Sequence, residues 1–223
     1  QVIYECGAGD SCYIGETKNG LLKTSFPLCY NGIINVMKDG YLGYKSRFST
    51  SHDKSSGVSV ALEPFRIKKV KGKVLDSGIV RELKEGEELV VYIEKKNSAY
   101  ESYDYSAGVD FDSENLISEV ELIPGEYNVR MTLINNNEIT IPAETFEAGV
   151  RPFKKKVTIP EQKISGLITG GGNFVWTIDK DALDNSKAVV FFTTDFGVPK
   201  KYSEFDNNFN KIDEIIVKEP MYE

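Results

Sequence analysis

Short apolar runs separated by turn residues dominate the chain. Runs rich in β-branched and aromatic residues recur at 33–36, 58–62, 89–93, 127–134, 173–178 and 188–193. The pairs Asn19-Gly20, Asn31-Gly32 and Asp39-Gly40 are typical of turns with positive φ. This spacing favours stacked sheets over the strand-helix alternation of a parallel α/β fold. We therefore predict an all-β chain built from β-sandwich units.

One segment breaks the strand pattern. From Tyr202 onward the apolar positions fall at Phe205, Phe209, Ile212 and Ile216, which is helical spacing. Ser203 can serve as the N-cap, because its hydroxyl accepts a hydrogen bond from an otherwise unpaired backbone N–H. The prediction is one short helix near 202–213 that closes an end of a sandwich.

Pro64 and the lysine-rich stretch after it mark a boundary between two units. We predict a small β-sandwich over 1–66 and a larger β-sandwich domain over 67–223. A further division of the second unit near 158–166, which would make three units in tandem, is left open. The glycine run 170–172 has no helix after it, so a flexible turn is favoured over a phosphate-binding loop.

The amino-acid composition limits the classes of partner that the chain is expected to bind. The chain of 223 residues has a net charge of −7, which argues against nucleic acid and anionic membranes. The lysine clusters at 68–73 and 154–156 are short, and we interpret them as solvated strand edges that discourage pairing. No apolar run is long enough to cross a bilayer. The chain enters an apolar strand at Val2 without a Met, as expected of a processed or excised segment.

The first unit resembles a known family. The stretch 15–20, then Phe26-Pro27, then 32–36, then 38–41 with its Gly40-Tyr41 turn resembles the carboxypeptidase regulatory-like domains. The resemblance covers about residues 1–65 and implies a transthyretin-like β-sandwich. It also implies an accessory module of secreted or surface proteins, without catalytic residues of its own.

The first unit departs from that family by carrying three cysteines and by lacking the family's first strand. A missing strand leaves an edge and a groove that another strand must cover. The run 213–220, with Ile215, Ile216 and Val217, has the required strand character. It can be donated to a neighbouring copy in head-to-tail assembly, or it can pair inside its own domain.

The three cysteines and the only histidine are expected at one pole of the first unit. If the strands run alternately up and down, Cys6, Cys12, Cys29 and His52 all lie at the upper end. A disulfide between Cys12 and Cys29 is our preferred interpretation, with Cys6 as the alternative partner. The other interpretation is a structural zinc site formed by all four side chains.

Two further groups of residues are candidate sites. Asp110, Asp112 and Glu114 alternate, so on a strand they share one face, where calcium can bind. Tyr100, Tyr103 and Tyr105 lie in a polar aromatic segment that is typical of partner-binding loops. The competing interpretations are a solvated strand face and an ordinary sandwich loop.

The sequence indicates no catalytic site. His52 lies in a polar loop, and nucleophile-elbow and P-loop motifs are absent. No cofactor is expected apart from the structural zinc or calcium considered above. We predict a non-enzymatic extracellular structural protein that assembles with copies of itself at a cell surface, as a filament subunit for example. The alternatives are a monomeric adhesion or ligand-binding module of a larger surface protein and, remotely, an extracellular hydrolase.

Overall fold

The computed structural model describes residues 1–7, 10–52, 56–96, 103–150, 153–215 and 217–223. The chain is mainly β and divides into two compact units, 1–66 with 95–105, and 67–94 with 106–223. The predicted all-β class is confirmed. The stretch 95–105 groups with the first unit, whereas the sequence-based proposal placed all of 67–223 in one domain.

The first unit is built on one antiparallel sheet. Its strands are β1 (Val2–Cys6), β2 (Asp10–Gly15), β3 (Gly32–Val36) and β4 (Tyr44–Phe48), in the order β2-β1-β3-β4. Alternation buries Val2, Tyr4 and Ile34 on one face. The positive φ angles of Asn19, Asn31 and Gly40 confirm the predicted turns.

Irregular chain covers the buried face of this sheet. Leu22 and Phe26 pack against the core, and the Phe26 ring meets the rings of Tyr4 and Phe48 edge to face at 5.3 and 5.5 Å. The strand expected over 58–62 is not formed, and none of its residues is buried. The segment 21–26 is also irregular, apart from the bridge Lys18–Leu21 at its start.

The second unit contains the remaining elements. Its strands are β5 (Arg66–Asp76), β6 (Ile79–Arg81), β7 (Glu87–Lys95), β8 (Ser106–Asp112), β9 (Ile117–Leu122), β10 (Gly125–Asn135), β11 (Ile139–Ile141), β12 (Glu144–Ala148), β13 (Lys155–Ile159), β14 (Gln162–Ile164), β15 (Leu167–Ile178), β16 (Ala188–Asp195) and β17 (Met221–Tyr222), and its helices are α1 (Lys180–Asn185) and α2 (Ser203–Glu214). Nine strands form one sheet with the path β6-β5-β16-β15-β10-β7-β8, to which β9 adds on β5 and β17 on β16.

The sheet of the second unit folds over its own core. A Cβ added at Gly72 on β5 would lie 2.7 Å from Leu89 of β7 and 2.8 Å from Phe111 of β8. Because β5 is far from β7 and β8 along the hydrogen-bonded path, these strands face one another across the core. The arrangement fits the β-sandwich prediction for this unit.

The one predicted helix is present as α2. The prediction of Ser203 as its N-cap is wrong, because the helix begins at Ser203 and Tyr202 occupies the N-cap position without a side-chain hydrogen bond. The additional helix α1 was not predicted. It is capped by Asp179, whose Oδ1 accepts from the backbone N–H groups of Asp181 at 2.8 Å and Ala182 at 3.1 Å. Its Leu183 is fully buried. Six residues are too few for the periodic pattern to show in the sequence.

The glycine run 170–172 lies inside β15 and not in a turn. A Cβ at Gly171 would lie 2.7 Å from Ile212 of α2, and a Cβ at Gly172 would lie 2.2 Å from Val217. The missing side chains let α2 and the chain after it lie directly on the sheet. The glycines therefore serve close packing, which the sequence pattern alone could not distinguish from flexibility.

Candidate interaction surfaces

The disulfide of the first unit joins Cys6 and Cys29, whose Cα atoms are 5.8 Å apart. Cys6 ends β1 on the same side as Val2 and Tyr4, which is the buried face. Cys29 is 7% exposed and packs on that face. The sequence-based prediction of a disulfide is correct, but the preferred Cys12–Cys29 pairing is wrong and the alternative partner, Cys6, is the one used.

Cys12 is a free, exposed cysteine. It lies opposite Tyr4 on β2, the end strand of the sheet, two residues from the strand end where Cys6 lies. His52 is exposed and follows Thr50, whose Oγ1 accepts from the Cys29 backbone N–H at 2.8 Å. Because the disulfide consumes Cys6 and Cys29, the four-ligand zinc hypothesis is wrong. No potential metal cluster of three such side chains occurs among the described residues.

The acidic cluster at the end of β8 does not form a single face. Asp110 is exposed on the strand, but Glu114 lies in the turn that follows. The Asp112 carboxylate accepts from the backbone N–H groups of Glu114 and Asn115, both at 2.7 Å. These bonds and the side-chain bond from Asn115 lower the pKa of Asp112. The proposed calcium ligand Asp112 thus caps a turn, and the calcium hypothesis gains no support.

The tyrosine segment is used inside the first unit. The Tyr103 hydroxyl donates to Oδ1 of the buried Asn35 at 2.7 Å, and its ring fills the space beside Gly43. Tyr105 packs against Phe65 with ring centroids 5.3 Å apart. Tyr103 and Tyr105 therefore contribute to the packing of the first unit, and their binding of a partner stays a prediction; Tyr100 lies outside the described residues.

The C-terminal run also packs inside its own unit. The Ile215 carbonyl accepts from the Asn173 backbone N–H at 3.1 Å, and Val217 is 6% exposed beside Gly172. The chain then pairs with β16 through β17. Ile215 and Val217 therefore pack inside their own unit, which is the intramolecular alternative, and donation of this run to another copy stays a prediction; Ile216 lies outside the described residues. The strand pattern of a segment does not by itself indicate which sheet the segment will pair with.

Arg81 and two carboxylates form a hydrogen-bonded ion-pair network in the second unit. Arg81 bonds both oxygens of Glu87 at 2.6 and 2.9 Å and Asp195 at 2.7 Å. Burial lowers the pKa of Arg81 and raises that of Glu87, but these bonds outweigh burial, so the arginine pKa is raised and the glutamate pKa is lowered. Both groups are held in their charged forms, which makes the network a structural tie.

The strands β12 and β13 form a separate two-stranded hairpin, and we call 144–159 the hairpin arm. Nearly all its residues are half-buried or exposed, on both faces. Phe146 and Val157 are cross-strand partners, so they share one face, and they are 44% and 40% exposed. The opposite face is polar, with the Oγ1 atoms of Thr145 and Thr158 2.9 Å apart.

The apolar surface of the hairpin arm continues toward its tip. Val150 and Phe153 are 82% and 81% exposed. Lys154 pairs with Glu147 at 2.9 Å, and Lys155 and Lys156 follow on β13. A two-stranded ribbon is marginally stable alone and gains from packing against something. The sequence indicated strand character and lysines here, but only the register shows that Phe146 and Val157 share one open face.

A shallow groove of about 640 Å³ lies on the outer face of β7, β10 and β15. Its lining residues are Tyr92, Glu94, Asn128, Val129, Arg130, Asn173, Phe174, Val175 and Asp213. Arg130 bonds Asp213 at 3.1 Å and lies 5.7 Å from the centroid of the Phe209 ring. Tyr92 is 46% exposed. The groove offers an aromatic ring beside donors and acceptors, as small-ligand sites do.

Comparison with protein-family models, curated proteins and solved structures finds no match for the chain. The resemblance of the first unit to carboxypeptidase regulatory-like domains therefore stays a prediction. Among the described residues, no helix has the length and apolar character needed to span a membrane.

Proposed function

We propose that this chain is a non-catalytic subunit of a self-associating extracellular structure that acts through contact surfaces. The single observation that carries the proposal is the open apolar face of the hairpin arm, centred on Phe146 and Val157. An exposed apolar ribbon with a polar reverse side is a common form of protein-binding element. The disulfide of the first unit supports an oxidising compartment outside the cytosol.

The test is the oligomeric state of the purified chain as a function of concentration. Sedimentation velocity of the intact protein should show concentration-dependent association. The double variant Phe146→Thr/Val157→Thr should weaken it, because it makes the face polar while keeping β-branched or strand-compatible residues. The control Thr145→Ser/Thr158→Ser changes the opposite face of the same two strands and should associate as the unaltered chain does.

A second candidate function is ligand binding by a monomeric module, and the groove at Tyr92 and Arg130 favours it. The two functions separate in the same experiment. A chain that stays monomeric at every concentration, with or without the Phe146 and Val157 changes, rejects self-association and leaves the groove as the better candidate.

A further inference from the structure

The hairpin arm differs in charge from the rest of the molecule. In sequence it carries four basic and two acidic residues, a net charge of +2, while the whole chain carries −7 and the remainder therefore carries −9. Its lysines at 154–156 would repel the same lysines on another arm. Two arms are thus poorly matched to each other, whereas an arm and an acidic surface attract.

The strand β8 presents the acidic surface that best matches the arm. It stands at the end of the strand path of the nine-stranded sheet, with β7 as its partner in that path. The stretch 106–122 contains five acidic residues and no basic residue. Asp110 is exposed on β8, and Glu114 is exposed in the turn after it. Gly108, also exposed, leaves the space above it open.

Two other strands at the ends of sheets fit the arm less well. The end strand β4 carries Lys45 and Arg47, which would repel the arm. The strand β6 has three residues, and its Arg81 is committed to Glu87 and Asp195. β8 has seven residues, more than the five of β13 that would lie against it.

We propose that the hairpin arm of one copy docks against β8 of a second copy, with the lysines at 154–156 beside Asp110 and Glu114. The proposal rests on the proposed self-association and names its two contacting surfaces. Phe146 and Val157 supply the buried area, and the charges select the partner strand. Because the arm and β8 are different surfaces, the contact is heterologous and repeats from copy to copy.

Charge reversal on each surface tests the pairing. The arm variant Lys154→Glu/Lys155→Glu/Lys156→Glu and the β8 variant Asp110→Lys/Glu114→Lys should each lose self-association by on the order of tenfold or more in Kd. An equimolar mixture of the two variants should recover association. The acidic arm of the arm variant matches the basic β8 of the β8 variant, and the basic arm of the β8 variant matches the acidic β8 of the arm variant. Circular dichroism checks that each variant is folded.

The outcomes are distinct. Variants that associate like the unaltered chain, or a mixture that does not recover, overturn the arm-to-β8 pairing while leaving self-association intact. A monomeric unaltered chain overturns both proposals. An unaltered chain that binds vesicles of phosphatidylcholine and phosphatidylglycerol without self-associating also overturns the pairing and shows that the tip meets lipid. If a variant does not fold, the salt dependence of the unaltered chain decides, because association insensitive to ionic strength contradicts a charge-selected contact.

Discussion

At the scale of single residues, the packing of this fold depends on where a side chain is absent and where a charged side chain is held by partners. Gly72 is buried on β5 between Leu89 and Phe111, so the absence of a Cβ lets the two halves of the sheet approach. Arg81 and Glu87 illustrate the opposite case, two charged groups that hold each other in place.

Gly72→Ala should lower the free energy of unfolding by about 1–3 kcal/mol, because the added methyl group overpacks the core. Gly108→Ala is the matched control, since its Cβ would meet nothing within 4 Å. Urea denaturation measures both. Equal stability of the two variants would contradict the close contact at Gly72.

Glu87→Gln should cost roughly 2 kcal/mol at neutral pH, because Arg81 loses one of its carboxylate partners in a largely buried position and keeps Asp195. The lowered pKa of Glu87 sets the sign of the pH dependence. Its contribution is complete above the ordinary glutamate pKa of 4.5 and disappears as pH falls through the lowered folded-state value.

The stability difference between the unaltered chain and Glu87→Gln should therefore narrow in acid. Denaturant titrations across the acidic range measure this difference. A gap of the same size at neutral and strongly acidic pH would show that the carboxylate charge is unimportant to the network.

At the scale of elements, α2 is held by what it covers and not by its caps. Its Ile212 is 1% exposed against the glycines of β15, while Phe209 on the same helix is 52% exposed. Asn173 of β15 ties the end of the helix by donating to the carbonyls of Ile212 and Asp213, both at 3.1 Å. The helix and the chain after it thus complete the second unit.

Ile212→Ala should destabilise the chain by about 2–4 kcal/mol, because it opens a cavity where the helix meets the sheet. Phe209→Ala, a control on the same helix, should cost less than about 1 kcal/mol. Thermal unfolding followed by circular dichroism compares them. A larger loss at Phe209 would mean that the helix packs through its other side.

At the scale of the whole molecule, two cores support the chain. The first unit is small and relies on a disulfide with a sequence separation of 23. The second has the larger core and contains both the hairpin arm and β8. A net charge of −7 disfavours the close approach of two copies, and the proposed contact would place a basic element against an acidic surface.

Reduction of Cys6–Cys29 should cost the first unit about 3 kcal/mol, since it removes a constraint on the unfolded chain. Scanning calorimetry should show that reductant moves the unfolding transition of the first unit to a lower temperature. The unfolding transition of the second unit should stay at the same temperature. Cys12→Ser should leave both transitions unchanged without reductant. A shift of the whole profile would mean that the two cores unfold as one.

Several features could be predicted from sequence because they depend on neighbours in the chain. The structure contains three kinds of local geometry that follow from such neighbours. They are the strands β1, β7 and β10, the turns at Asn19 and Asn31, and the helix indicated by the spacing of Phe205, Phe209 and Ile212. The strand run 188–193 was likewise visible as an unbroken apolar stretch, and its residues are all buried.

The features that were missed depend on residues far apart in sequence. Cys12 is the cross-strand partner of Tyr4, so it shares the sheet face of Cys6, and the pattern of faces does not distinguish the two. The structure pairs Cys29 with Cys6 on the inner strand β1 and leaves Cys12 on the end strand β2. Tyr103 belongs to the first unit because Asn35 and Gly43 receive it, which no pattern around Tyr103 reveals.

By itself the sequence determined the all-β class, the presence of a disulfide, the acidic charge and the absence of recognisable catalytic motifs, since composition and short-range periodicity encode these. Tertiary structure alone decided that the C-terminal run stays in its own domain, that the glycine run accepts a helix, and that an apolar hairpin face stays open. The physical reason is that partner choice among strands depends on long-range register and burial, and the same strand pattern is compatible with many partners.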